Sequence, residues 1–193
     1  MNKAVAGVCL ALSCTVLPAC GSTPSEPEVP DQAEDVSTEA EYISPEGGGI
    51  GDTRANFDDR RGTGEKSGES QIVYQNAYIL TTFVKGSDYD LEDGRAQNIL
   101  IQFGETNTPA VSMDRALEIA ETFLPKDATK ESEQQDADGF YHIQYSSDSL
   151  SEVFNPGWFH QGEPGDVTAT FWQREGNPEQ IFAITIGTGG IIE

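Results

Sequence analysis

The composition of residues 21–45 is the strongest constraint on the fold, because it makes this segment unable to fold and so limits the folded domain to the rest of the chain. The segment holds four prolines and seven acidic residues, and it has neither lysine nor arginine. With so few core-forming side chains and charge of one sign, it cannot offset the entropy that ordering would cost. We therefore predict a disordered acidic tether at 20–45, extended by proline and self-repulsion. A single folded domain is predicted at 46–193.

The chain begins with one basic residue, Lys3, followed by an apolar run at 4–17. As a helix this run is ~21 Å long. The hydrocarbon core of a bilayer is ~30 Å thick, so the run favours a secretory signal over a membrane span. It leads into LPAC at 17–20. These four residues resemble the lipobox of bacterial lipoproteins, in which a small residue precedes the lipid-accepting cysteine.

The resemblance implies that residues 1–19 are a signal peptide removed before Cys20, and that the Cys20 thiol carries a diacylglycerol. Pro18 departs from the small or aliphatic residue that is commoner at its position. The implied location is the cell envelope, on the outer side of the cytoplasmic membrane or in the outer membrane, with the membrane reached through the lipid. The other two cysteines lie in the removed part, so we expect a mature chain without cysteine catalysis or a disulfide.

The charge balance excludes nucleic acid as a partner. Residues 46–193 contain 26 acidic and 10 basic side chains, a net charge of −16. Contacts to phosphate need clustered lysine and arginine, and so does adsorption to anionic lipid. We expect an envelope protein, an extracellular protein or a small ligand as the partner.

Helical and strand patterns alternate along the domain. Asp52 or Thr53 can cap a short helix at Arg54–Arg61. Ser112 can cap a longer helix at 113–124, which carries an apolar stripe. A third helical turn is predicted at 149–154, and strands are predicted at 72–85 (one strand, or two with a turn at Gln75-Asn76), 96–103, 140–145, 167–174 and 180–186.

This order predicts an α+β domain with an antiparallel sheet and two or three short helices. A helix followed by strands occurs twice, near 52–103 and near 112–186, which favours two helix-plus-hairpin halves. The order is similar to that of BamE-like and beta-lactamase-inhibitor-protein-like modules, whose members bind other proteins. The similarity covers the order of elements alone, and by analogy it implies a binding module.

The acidic stretch DYDLEDG at 88–94 resembles the start of a calcium loop. An EF-hand needs glycine at position six and glutamate at position twelve, but these positions hold Asp93 and Ile99. Two explanations stay open, an acidic hairpin turn and a calcium site of another kind. The ligands of such a calcium site would be Asp88, Asp90 and Glu92.

Catalytic motifs are incomplete in this sequence. The glycine-rich stretch at 47–51 has no strand before it, so we predict a flexible entry to the domain and not a phosphate cradle. The two histidines, His142 and His160, have no nucleophile or metal-ligand motif around them. No catalytic residue and no cofactor other than calcium is predicted. The many carboxylates leave an anchored, carboxylate-dependent hydrolase, with or without calcium, as the alternative function.

The loop at 154–165 places two large aromatic residues among glycines and prolines. Exposed aromatic side chains there would anchor a partner, whereas buried ones would form a lid over the core. We predict a binding surface at Trp158, Phe159 and His160. The favoured function is therefore a non-enzymatic, membrane-anchored module for binding or assembly.

Overall fold

The computed structural model describes residues 42–75, 78–103, 110–136 and 138–191. The helices are α1 (Arg54–Arg61), α2 (Met113–Phe123) and α3 (Asp148–Val153), with a 3-10 turn at Pro156–Trp158. The strands are β1 (Glu65–Ser67), β2 (Gln71–Tyr74), β3 (Ile79–Lys85), β4 (Asp88–Tyr89), β5 (Arg95–Gln102), β6 (Val111–Ser112), β7 (Thr129–Gln135), β8 (Phe140–Ser146), β9 (Asp166–Arg174) and β10 (Asn177–Thr188). None of the helices in this part of the chain is both long enough and apolar enough to cross a membrane.

All ten strands form one antiparallel sheet, in the order β1-β2-β3-β5-β10-β9-β8-β7, with β4 added to β3 and β6 to β10. The predicted α+β class with an antiparallel sheet and few short helices is confirmed. Each half is a helix followed by four main strands, α1 before β1, β2, β3 and β5, and α2 before β7 to β10. The last strands of the two halves, β5 and β10, pair at the centre of the sheet.

The helix ends follow the capping residues of the sequence. The Thr53 side chain accepts a hydrogen bond from the amide of Asn56, and α1 ends at Gly62 with a φ of 84°, a conformation that favours glycine. The Ser112 side chain caps α2, which ends at Phe123, one residue before the predicted end. Between β2 and β3 the chain turns at Gln75, which has a φ of 52°, so the stretch at 72–85 is two strands.

The core lies between the helices and one face of the sheet. Phe57 of α1 packs against Tyr74 and Phe83, with ring centroids 5.4 and 5.3 Å apart. From α2, the buried residues Ala116, Ala120 and Phe123 belong to the same core cluster. Residues in register share a face of the sheet. The face that packs on the helices is therefore the one that carries a fully buried row, Ile79, Ile101, Ile184 and Phe171.

The entry to the domain is fixed by a buried carboxylate, Asp52, which is 0% exposed. Its Oδ1 accepts from the amide of Ile43 at 2.7 Å, and its Oδ2 accepts from the amide of Gly49 at 2.9 Å and from the hydroxyl of Ser44. The flexible entry predicted at 47–51 is therefore wrong, because these residues form a buried turn. The predicted end of the tether is also too late, since the chain already packs on the domain at residue 43.

The predicted signal peptide at 1–19, Cys20 and the predicted tether as far as residue 41 lie outside the described residues. The structure therefore leaves the lipidation of Cys20 as a prediction.

Candidate functional site

The hairpin of β3 and β4 and the loop after α3 meet at the surface of the domain. Trp158 Nε1 donates a hydrogen bond to the carbonyl of Gly86 at 2.7 Å, across 72 positions of the chain. The Trp158 ring lies 5.7 Å from the ring of Tyr89 and 6.4 Å from that of His160, measured between centroids. We call Tyr89, Trp158 and His160 the aromatic cluster.

Contacts to the end of β10 hold the loop that carries Trp158. The hydroxyl of Thr188 donates to the carbonyl of Trp158 at 2.6 Å, and the amide of Gly190 donates to the carbonyl of His160 at 3.0 Å. A Cβ atom at Gly189 would lie 2.3 Å from that same carbonyl oxygen. Glycine at 189 is thus required for the close approach of the loop to the chain after β10. This approach holds Trp158 and His160 in place.

The three residues predicted to bind a partner do not share one environment. Phe159 is 4% exposed and belongs to the core, where its ring packs edge-on against Phe154. It forms the lid that was the alternative prediction, so its assignment as a binding residue is corrected. Trp158 is partly buried and His160 is exposed, and their role in binding stays a prediction.

Acidic side chains lie beside the aromatic cluster, because Asp88 and Tyr89 are the two residues of β4. Asp90 follows, and its Oδ1 accepts from the amides of Glu92 and Asp93 at 3.0 and 2.9 Å. These backbone hydrogen bonds lower the pKa of Asp90. We call the stretch at 88–93 the acidic hairpin. Through the contact of Tyr89 with Trp158, the candidate calcium ligands of this hairpin lie next to the predicted binding loop.

The carboxylates of the acidic hairpin do not converge on one point. In the described part of the chain, no group of three or more histidine, cysteine, aspartate or glutamate side chains could hold a metal ion. Asp90 already uses one carboxylate oxygen to stabilise its own turn. Calcium binding by Asp88, Asp90 and Glu92 stays a prediction, without a ligand set in this geometry, and thermal melting at millimolar calcium tests it.

Sequence reasoning missed Tyr89, which is 60% exposed. A signal was present, because Tyr89 is an aromatic residue inside an otherwise acidic turn. A turn does not need such a residue, so an exposed aromatic there indicates a contact surface. Its neighbour Trp158 lies far along the chain, so the pairing could not be read from local pattern.

Comparison with known proteins gives no family for this chain. No protein-family model matches the sequence, and no curated protein matches it. Among solved structures, the chain is similar to a cysteine-rich secretory protein from Staphylococcus aureus, with a TM-score of 0.31 and 10% sequence identity. The match covers 76% of this chain and 46% of that protein, so the chain spans less than half of its length. A likeness this distant carries no argument about function.

Proposed function

We propose that this protein is a lipid-anchored module of the cell envelope, and that it binds a basic segment of another protein without catalysing a reaction. The observation that supports the proposal is the position of the aromatic cluster beside the acidic hairpin, which contributes Tyr89 to it. Tyr89 is exposed between Asp88 and Asp90, and its ring lies against Trp158. Aromatic faces and carboxylates side by side suit a partner that carries arginine or lysine.

The physical basis is the affinity of cations for both groups. A guanidinium or ammonium within ~6 Å of an aromatic centroid gains about 0.5–2 kcal/mol, depending on its exposure to water. Exposed ion pairs add less, about 0–1 kcal/mol each. The aromatic cluster therefore supplies most of the affinity, and the carboxylates guide a basic partner to it. A domain with a net charge of −16 also raises the association rate of such a partner.

The proposed anchor matches this role. The predicted tether is shortened to 21–41 by the contacts of Ile43 and Ser44 with Asp52. A flexible coil of that length spans ~25 Å and an extended one ~65 Å. Either reach holds the aromatic cluster clear of the lipid headgroups, where a second envelope protein can approach it.

Nuclear magnetic resonance of the full mature chain in detergent micelles tests the binding surface. The probe is an arginine-rich peptide, with a glutamate-for-arginine peptide of the same length as its control. We expect the indole N–H signal of Trp158 to shift saturably, while that of Trp172, in strand β9, stays in place. Tyr89→Ala should weaken binding about 5- to 30-fold, the equivalent of about 1–2 kcal/mol.

A matched control removes the other exposed large aromatic residue, Phe182, which lies in the opposite half of β10 from Thr188. Phe182→Ala should leave peptide affinity unchanged. Binding that depends on salt but not on Tyr89 would reduce the site to general charge attraction and would contradict the proposal. Failure of the arginine-rich peptide to bind would contradict it as well.

A further inference from the structure

The face of the sheet opposite the core carries a polar surface at its centre. Residues that lie opposite one another in register share a face, so two adjacent rows can be followed across β8, β9, β10 and β5. The first row contains His142, Thr170, Thr185 and the apolar Leu100, and the second contains Gln144, Thr168, Gly187 and Asn98. Neither row includes an aspartate, a glutamate, a lysine or an arginine.

A pit lies beside Gly187 of the second row, where the side-chain amide of Asn98 occupies the space over the glycine. The pit has a volume of about 190 Å³ and is lined by residues 188–191 and by six members of the two rows, which are His142, Thr170, Thr185, Thr168, Gly187 and Asn98. Its rim is fixed by the carbonyl of Gly189, which accepts from the hydroxyl of Thr168 at 2.8 Å and from the amide of Gln144 at 3.4 Å. The pit is thus a built feature of the sheet and not a gap between loops.

Hydroxyl, amide and imidazole groups line the pit. His142 is its one titratable side chain among the described lining residues, and both ring nitrogens are engaged, by Thr170 Oγ1 at 3.0 Å and Asp136 Oδ2 at 3.1 Å. The side-chain amide of Asn98 has no hydrogen bond to the described residues and can both donate and accept. On a domain of net charge −16, a pit whose described lining residues include no aspartate, glutamate, lysine or arginine indicates an uncharged, polar ligand.

An aromatic wall adjoins the pit. Trp172 lies two residues beyond Thr170 on the same face, and its Nε1 donates to the hydroxyl of Thr185 at 3.1 Å. Its ring packs edge-on against those of Phe140 and Phe182, with centroids 5.2 and 6.0 Å apart. The Trp172 indole therefore lies beside Thr170 and Thr185, which are two of the residues that line the pit.

We propose that this pit binds one uncharged saccharide ring. A sugar ring has hydroxyl groups at its edge and an apolar C–H surface on its face, which matches the polar lining of the pit and the indole of Trp172 beside it. Pockets for drug-sized ligands measure about 300–1,000 Å³, so a pit of about 190 Å³ accommodates a single ring and not an oligosaccharide. This site is separate from the aromatic cluster and does not depend on the peptide-binding function.

Titration of the full mature chain with N-acetylglucosamine tests the inference, again by nuclear magnetic resonance. We expect saturable shifts of the Trp172 indole N–H and of the Asn98 side-chain amide. Glucuronate, an anionic sugar of similar ring size, should bind about tenfold more weakly or less. The arginine-rich peptide should leave these signals unmoved.

Gly187→Ala adds a methyl group at the floor of the pit and has little effect on the fold. The new Cβ would lie 2.7 Å from Nδ2 of Asn98, the end of a flexible side chain that can move aside into the pit. We expect sugar affinity to fall about tenfold or more, with the melting temperature nearly unchanged. Asn98→Ala should weaken sugar binding without filling the pit, and Tyr89→Ala should leave it intact.

The inference is overturned if N-acetylglucosamine causes no saturable shift up to its solubility limit, or if Gly187→Ala and Asn98→Ala bind the sugar like the unaltered protein. Equal binding of glucuronate would also overturn it. These outcomes are independent of peptide binding at the aromatic cluster, so the failure of one site is distinguishable from the failure of the other.

Discussion

Substitution of Asp52 by alanine should destabilise the domain more than any exposed acidic substitution. The Asp52 carboxylate is fully buried and accepts from Ile43, Ser44 and Gly49. Alanine leaves four donors, the amides of these three residues and the Ser44 hydroxyl, without this acceptor, and Ser44 is itself fully buried. Water cannot replace the lost bonds without opening the turn at 47–51.

The magnitude follows from these four donors, of which the Ser44 amide is the most distant at 3.4 Å. A buried donor left unsatisfied costs about 1–3 kcal/mol, and a hydroxyl can rotate toward another partner, so the sum is about 3–6 kcal/mol. For a domain of this size, 1 kcal/mol corresponds to roughly 2–4 °C in the melting temperature. Asp52→Ala should therefore lower the melting temperature by about 10–20 °C.

Urea unfolding of the full chain, followed by circular dichroism, measures the change in the free energy of unfolding. Asp59→Ala is the matched control, because it removes the same charge from the same helix region. Asp59 is 65% exposed and accepts one hydrogen bond, from the Tyr42 hydroxyl, so its loss should cost less than ~1 kcal/mol. If Asp52→Ala cost no more than Asp59→Ala, the buried-carboxylate account of the domain entry would be wrong.

Two further predictions concern acid stability and glycine conformation. Burial alone would raise the pKa of Asp127, but hydrogen bonds from Ser149 and Ser147 hold this pKa below its ordinary value. The stability that Asp127 contributes is therefore complete above the unfolded pKa of 3.8. This stability is lost as the pH falls through the lower pKa of the folded state. Urea unfolding at pH 5 and pH 3 should show this loss, and Asp127→Asn should reduce it. Both Gly51 and Gly62 have positive φ, so alanine at either should cost about 1–2 kcal/mol. Gly51→Ala should lower the melting temperature more than Gly62→Ala. A Cβ at residue 51 would lie 2.7 Å from Leu150 Cδ2, whereas nothing lies within 4 Å of a Cβ at residue 62. Equal decreases in melting temperature would contradict the packing argument.

The helices were predictable because their signals are local. Thr53 and Ser112 cap from one residue before each helix, and Gly62 ends α1. Strand β7 was missed for an equally physical reason. Its sequence, TKESEQQ, has no apolar residue, and all seven residues are exposed. It pairs with β8 at the edge of the sheet, where charged side chains are favoured because they discourage pairing with other chains.

The candidate sites were only partly predictable because they depend on contacts between distant positions. The glycine- and proline-rich loop indicated Trp158 and His160, but composition could not show that Phe159 turns into the core. The contact between Trp158 and Gly86 needs the sheet order, which no local pattern contains. The pit likewise needs the register that places Gly187 between Thr168 and Asn98.

The two proposed sites depend on one property of the sheet, the register of β10. Successive residues of a strand point to opposite faces, so Gly187 forms the floor of the pit while the next residue, Thr188, faces the other way and holds the carbonyl of Trp158. A slip of β10 by one residue against β5 and β9 would exchange these two positions and remove both sites at once. The pairing of β5 with β10 joins the two halves of the domain, and it is therefore the contact on which both binding functions rest.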